Sequence, residues 1–288
     1  MMTSCRNKAY KVIVTLILAC ITASVSIDAR GRTRGIASKS GRQYSDLTIL
    51  AIFAHPDDDV IVGPLLAHYA KSGVRVYLAL VTSGQQGVNS FAKIPAGDQL
   101  GAVRESESRA ACKAYGIPEP FLLREQDGTL SSMQRSNQIV QRLREIVLQV
   151  RPAVIITWGP DGITGHPDHR AVSNLVTELF QNWQTSANSF SPKKLYYAVF
   201  PQSKFSAQLK GFKSVNEFYV TTIIQAKDGL SAAAKAEYAY KSQHTPQDMR
   251  FWNDLMANIS KGKIYLRLAL SRSRMSNRRE RDVFDDVP

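Results

Sequence analysis

Between residues 47 and 200 the chain alternates short apolar runs with longer amphipathic ones, and this alternation restricts the possible folds more than any other feature. "LTILAIFA" (47–54), "VRVYLALVTS" (74–83), "PFLLRE" (120–125), "PAVIITW" (152–158) and "KLYYAVF" (194–200) are too short for buried helices. All are rich in β-branched or aromatic residues, so they are predicted as strands. Between them, "VIVGPLLAHYAKSG" and "GDQLGAVRESESRAACKAYGI" have helical spacing, with Gly116 placed as a C-cap. "SMQRSNQIVQRLREIVLQVR" sets Ile139, Leu143, Ile146, Val147 and Val150 on one helix face, and "HRAVSNLVTELFQNW" is a fourth helix. Strands alternating with helices of this length give βαβ units, and hence a mainly parallel sheet covered on both sides, a three-layer α/β architecture. Beyond about residue 205 the pattern is less regular. No internal repeat or second domain boundary is visible.

In such sheets ligands bind in the crevice beyond the carboxyl ends of the strands. The polar loops fall there. "AHPDDD" follows the first strand, "TSGQQG" the second, "EQDG" the third and "GPDGITGHPDH" the fourth. Three consecutive carboxylates at the end of a buried strand repel one another unless something positive compensates them.

The chain has five histidines. Three of them lie in two His-Pro-Asp copies, His55-Pro56-Asp57 and His166-Pro167-Asp168, the second followed by His169. Taken alone, each tripeptide is a turn signature, with proline holding the histidine extended and the aspartate capping the next helix. Two copies in a chain so poor in histidine, each after a strand, point instead to a divalent metal. Catalytic zinc takes three protein ligands, imidazole or carboxylate, and leaves one position for water. His55, one aspartate of the first loop and one histidine of the second complete such a set. A spare carboxylate beside the ion can act as general base.

"AHPDDD" with "GHPDH" resembles the PIG-L/LmbE family of zinc-dependent N-acetylglucosaminyl de-N-acetylases, over roughly residues 47–175 and more weakly to about 247. The resemblance implies the LmbE-like, Rossmann-like form of the three-layer sandwich. It implies one zinc ion bound by His55, Asp58 and His169, with Asp57 as general base. His166 would be protonated, stabilising the oxyanion or protonating the departing amine, and Asp168 would orient it. Arg104 in "RESES" aligns with a substrate-contacting arginine; a surface pair with Glu107 is its simpler alternative. Asp127 aligns with the position that holds sugar hydroxyls. Gln243, His244 and Gln247 in "KSQHTPQ" match a late segment at the pocket rim, or else form a surface loop. Two departures stand out: Asp59 replaces the usual glutamate, and Thr164 stands where some members carry tyrosine. Trp158 is expected to pack in the core rather than stack on a sugar, and His68 to be an ordinary helix residue.

The formal net charge is +13. Much of it lies in "RNKAYK", "ARGRTRG" and the tail "RLALSRSRMSNRRERD", which suits non-specific contact with anionic surfaces. No helix-turn-helix, zinc-finger or RNP signature accompanies it, so no specific nucleic-acid partner is expected. Arg6, Lys8 and Lys11 before "VIVTLILACITASVSI" have the composition of a signal peptide over residues 1–30, implying export to the periplasm or medium. "ILAC" offers a lipoprotein anchor at Cys20 as a second option. Only Cys112 would then remain, so no disulfide is expected. Residues 31–45 are expected to be a polar linker, 46–270 the catalytic domain, and 271–288 a basic, disordered tail.

The expected function is removal of acetyl from an N-acetylglucosamine-type sugar in a glycan, glycolipid or glycoconjugate. A metal-dependent phosphoesterase and a non-catalytic carbohydrate-binding protein are the alternatives.

Overall fold

The computed structural model describes residues 44–183, 190–205, 207, 209–273 and 278–287. All of them lie in one unit spanning 35–288. The expected signal segment and nearly all of the linker lie outside the described residues.

Among the described residues seven strands form one sheet: β1 Thr48–Phe53, β2 Arg75–Thr82, β3 Phe121–Glu125, β4 Val154–Trp158, β5 Lys194–Ala198, β6 Thr222–Gln225 and β7 Lys263–Ser271. Their order is β3-β2-β1-β4-β5-β7-β6. The first five are parallel, as expected from the βαβ pattern. Every residue of β1, β4 and β5 is buried, which accounts for their unbroken apolar runs. The helices are α1 Gly63–Lys71, α2 Asp98–Tyr115, α3 Met133–Val150, α4 Pro167–Gln181, α5 Gln202–Phe205, α6 Leu230–Glu237 and α7 Pro246–Asp254. Helices α1, α2 and α6 pack together, and α3 packs with α4. This division follows from right-handed crossovers that run outward from β1 in opposite directions. Gly116 ends α2 in the left-handed conformation, φ 79°, as expected of a C-cap glycine.

The region after 205 carries what the sequence pattern did not reveal. Strand β7 inserts between β5 and β6, antiparallel to both. Arginines that read as a solvated tail lie in or beside it. Arg267 stacks over the ring of Tyr219 at 5.0 Å, and Arg272 donates to the Phe180 carbonyl at 2.6 Å. The expectation of a disordered 271–288 is therefore corrected for residues 278–287. Val283 and Phe284 are fully buried. Glu280 accepts hydrogen bonds from Lys194 at 2.5 Å, Tyr196 at 2.7 Å and Thr222 at 2.7 Å. Composition favoured disorder because arginine dominates the segment, whereas its few apolar residues and the carboxylates of Glu280 and Asp282 do the anchoring.

Candidate active site

Strand order reverses between β1 and β4, which are neighbours in the sheet. The two His-Pro-Asp segments leave their carboxyl ends, so motifs 111 residues apart in the chain meet at one crevice. The first loop turns sharply at Asp57, whose φ of 96° is left-handed. Among non-glycine residues aspartate tolerates this better than most, and such strain tends to be kept at functional positions.

Three side chains converge. His55 Nδ1 lies 3.1 Å from His169 Nε2. Asp58 Oδ1 is 3.0 Å from His169 Nε2, and Asp58 Oδ2 is 3.7 Å from His55 Nδ1. A tetrahedral ion with bonds of about 2.0–2.2 Å separates its ligand atoms by roughly 3.3–3.6 Å. The observed spacings bracket that range, so the donor set fits a divalent cation.

The outer nitrogens are also fixed. His55 Nε2 faces Asp127 Oδ1 at 3.1 Å and Asp168 Oδ2 at 3.6 Å. His169 Nδ1 lies 2.9 Å from the Gly162 carbonyl, and its ring stacks on Trp158 at 5.0 Å. These contacts place the ring protons on the far nitrogens and turn the lone pairs of His55 Nδ1 and His169 Nε2 toward each other and Asp58. Asp58 is held by the backbone N–H groups of Ala54 and His55 at 3.0 and 2.9 Å. Two further triads have metal-compatible spacing, His55–His166–His169 and His55–Asp127–Asp168. The second is less suited to a separate ion. Asp168 already accepts from Gly128 and Leu130 N–H, and Asp127 from Gln86 N–H.

The electrostatics agree. Burial disfavours a charged His55, but hydrogen bonds to Asp127 and Asp168 and the charge of Asp58 outweigh it, raising its pKa to about 10. Burial also opposes charge on His169, yet Asp58 raises it. Burial would raise Asp58, but His169 and His55 bring it below the usual range. The cluster of carboxylates calls for a positive charge, whether protons or a metal.

Asp57 stands beside this set rather than in it. Arg104, 3% exposed, donates through Nη2 to Asp57 Oδ2 at 3.1 Å and to the Pro56 carbonyl at 2.5 Å. Its Nη1 reaches the Gly84 carbonyl at 2.9 Å. The alternative surface pair with Glu107 is not formed, because Glu107 accepts from Ser242 N and Oγ at 2.8 and 2.7 Å. Asp59 is fully buried behind the loop, accepting from Tyr115 OH at 2.7 Å and Tyr240 OH at 2.6 Å. Burial outweighs these two hydrogen bonds and raises its pKa to about 6.

His166 sits at the N-cap of α4, its Nδ1 accepting from Asp168 N–H at 3.2 Å. The expectation that the Asp168 carboxylate orients His166 is corrected, since that carboxylate serves His55 and the 128–130 turn. His244 faces the crevice, with Nε2 3.7 Å from Asp57 Oδ2 and Nδ1 2.6 Å from Glu237 Oε1. Gln243 donates to the Gly87 carbonyl at 3.0 Å. Gln247 is exposed on the first turn of α7 and does not line the cavity, correcting its place at the rim. His68 pairs with Asp228 away from the site.

These groups surround a cavity of about 490 Å³. One wall is polar, with His55, Asp57, Asp58, Arg104 and Asp127. The lining also includes the apolar side chains of Ile163, Phe212 and Trp252. Sequence reasoning missed Phe212, Trp252, Glu237 and Tyr240, which carry no motif and come from the irregular C-terminal region. The only hint was the proximity of Glu237 and Tyr240 to "KSQHTPQ".

A mainly parallel α/β sheet with two histidines and an aspartate gathered at its switch point defines a Rossmann-like protein whose crevice holds donors of the types that suit a divalent cation. Residues 50–180 match the family model described as PIG-L: GlcNAc-PI de-N-acetylase. A 1D-myo-inositol 2-acetamido-2-deoxy-alpha-D-glucopyranoside deacetylase of Salinispora arenicola is 30% identical over 188 residues, 58% of this chain and 60% of that enzyme. The chain thus spans less than two thirds of that relative's length. Among solved structures, N,N'-diacetylchitobiose deacetylase from Pyrococcus horikoshii shares the fold with a TM-score of 0.60 at 18% identity, covering 77% of this chain and 83% of that one. GalB, a 4-carboxy-2-hydroxymuconate hydratase from a Pseudomonas, matches equally well, at 0.60 and 14% over 80% of this chain and 99% of that one. The fold alone therefore does not choose the reaction.

The relatives overturn the expectation of export, including an anchor at Cys20. The inositol glycoside deacetylases are cytoplasmic enzymes. A basic cluster before an apolar run satisfies the composition of a leader without establishing its use. Residues 1–43 lie outside the described residues. Among the described residues no helix is long and apolar enough to cross a membrane.

Proposed function

We propose that this chain is a zinc-dependent hydrolase that removes the N-acetyl group from an N-acetylglucosamine unit linked to a second polyol or sugar, releasing acetate. The observation that carries this reading is the convergence of His55, His169 and Asp58, with the two imidazole nitrogens 3.1 Å apart and the two Asp58 oxygens 3.0 and 3.7 Å from them, next to an Asp57 carboxylate that is not part of the cluster. The names of the relatives, which act on 2-acetamido-2-deoxy-glucopyranosides, support the substrate class. When bound, zinc would polarise the acetamide carbonyl and make water acidic enough to deprotonate near neutral pH.

The chain's own residues supply the rest. Arg104 occupies Asp57 Oδ2 and leaves Oδ1 to take a proton from the attacking water. His166, with Nδ1 committed to the backbone, carries its proton on Nε2 and donates it as a hydrogen bond to the developing oxyanion. Asp127 and Asp168 fix His55. The aromatic pair Phe212 and Trp252 offers an apolar face to the sugar ring.

Asp57→Asn is expected to bind one equivalent of zinc by elemental analysis while losing at least about 100-fold in acetate release. Wild-type turnover in that variant would remove Asp57 from its role. Two equivalents of zinc with phosphate-ester cleavage would favour a phosphoesterase. The shared use of His55 by the second metal-compatible triad argues against that.

A further inference from the structure

Glu237 and His244 form a dyad that the roles above leave without work. Glu237 is the last residue of α6 and only 2% exposed. Its Oε1 lies 2.6 Å from His244 Nδ1, while Oε2 is buried with no hydrogen-bond partner. A buried carboxylate held this close to one ring nitrogen orients the imidazole and stabilises its protonated form. The other nitrogen, Nε2, points into the catalytic cavity on the Asp57 side, 3.7 Å from Asp57 Oδ2. Hydrolysis of an amide requires a proton for a poorly leaving amine. His166 is a less suitable source, because its Nδ1 accepts the Asp168 N–H and its Nε2–H serves the oxyanion.

Resting on the hydrolase reading, we propose that His244, oriented by Glu237, is the general acid that protonates the departing amine and is recharged by Asp57. The proton bookkeeping closes. As the new C–O bond forms, Asp57 takes one proton from water. The C–N bond then breaks with its electron pair going to nitrogen, and His244 Nε2–H delivers a proton to that nitrogen. The proton on Asp57 Oδ1 passes to Nε2 through a water entering as the products leave, because Nε2 stands 3.7 Å from the Arg104-bound Oδ2; both groups are restored, and the carboxyl proton of acetic acid leaves to solvent.

The charged groups facing His244 come from three elements. They are Glu237 on α6, Asp57 after β1 and Asp248 on α7, with Arg104 of α2 beyond Asp57. Burial alone would lower its pKa, but the hydrogen bond to Glu237 and the charge of Asp57 raise it to about 9. His244 is thus protonated at neutral pH, and activity falls as pH rises through that value.

In the full chain with zinc supplied, His244→Gln is expected to lower kcat about 100-fold, to change KM little, and to abolish the basic limb of the pH profile. Glu237→Gln is expected to move that limb to lower pH. NMR titration of the imidazoles, which needs no substrate, is expected to show one histidine titrating near 9 that shifts down in Glu237→Gln and vanishes in His244→Gln. An active wild type whose basic limb survives His244→Gln, or a His244 that titrates in the ordinary histidine range, overturns the assignment. A zinc-loaded wild type that releases no acetate from N-acetylglucosamine glycosides overturns the hydrolase reading itself, and this role with it.

Discussion

The three acids of "AHPDDD" are separated by what each touches rather than by chemistry of their own. Asp58 faces two imidazoles, Asp57 faces Arg104 and His244, and Asp59 faces two tyrosines. At Asp59, where the resemblance in sequence implies glutamate, this chain has a carboxylate at zero exposure whose two oxygens sit 2.7 and 2.6 Å from Tyr115 and Tyr240. A further methylene has no room there, and Tyr115 is itself packed against Gly63. Asp59→Glu is therefore expected to destabilise the protein by about 1–3 kcal/mol, measured by urea unfolding. Unchanged or higher stability would show that the tyrosines can yield.

At the level of elements, α2 links the parts of the site. Its inner face is polar for a buried face, with Arg104, Glu105 and Ser108 all buried. Arg104 fixes the loop that carries Asp57, and Glu107 holds the turn that carries His244. The loop after β2 makes room for this. A Cβ on Gly84 or Gly87 would lie 2.3 or 2.4 Å from the Arg104 guanidinium. Gly84 also has φ 62°, so its glycine answers two demands, whereas Gly87 answers the close approach alone. Gly87→Ala is expected to push Arg104 off Asp57 and lower kcat by roughly 10- to 100-fold while the chain still folds. Circular dichroism with acetate-release kinetics checks both parts. The sequence made β1 to β5, α1 to α4 and the Gly116 cap legible, because hydrophobic period and cap chemistry are local. Arg104's partner was not legible: helical spacing offered Glu107, and the crevice supplied Asp57.

For the whole molecule, the C-terminal segment closes the far side of the sheet. Lys194 on β5 is 1% exposed and pairs with Glu280, which also receives Tyr196 and Thr222. Tyr44, just before β1, and Tyr69 on α1 both donate to Asp282 at 2.6 and 2.9 Å. Removing one partner of a buried ion pair leaves an uncompensated charge, so Glu280→Gln is expected to cost about 3–5 kcal/mol in urea unfolding. A loss under 1 kcal/mol would mean that residues 278–287 do not pack in solution.

By itself the sequence determined the parallel α/β core, the four polar loops at its edge and the histidine and aspartate side chains gathered there. Those follow from periodicity, strand chemistry and motif content within short windows. Only the tertiary structure decided which carboxylate serves which partner, that β7 runs antiparallel into the sheet, that an arginine-rich tail is anchored, and that Glu237 stands behind His244. These depend on burial and on contacts between residues as far apart as Asp59 and Tyr240. Hydrogen bonding and charge pairing at that range leave no periodic trace in a chain.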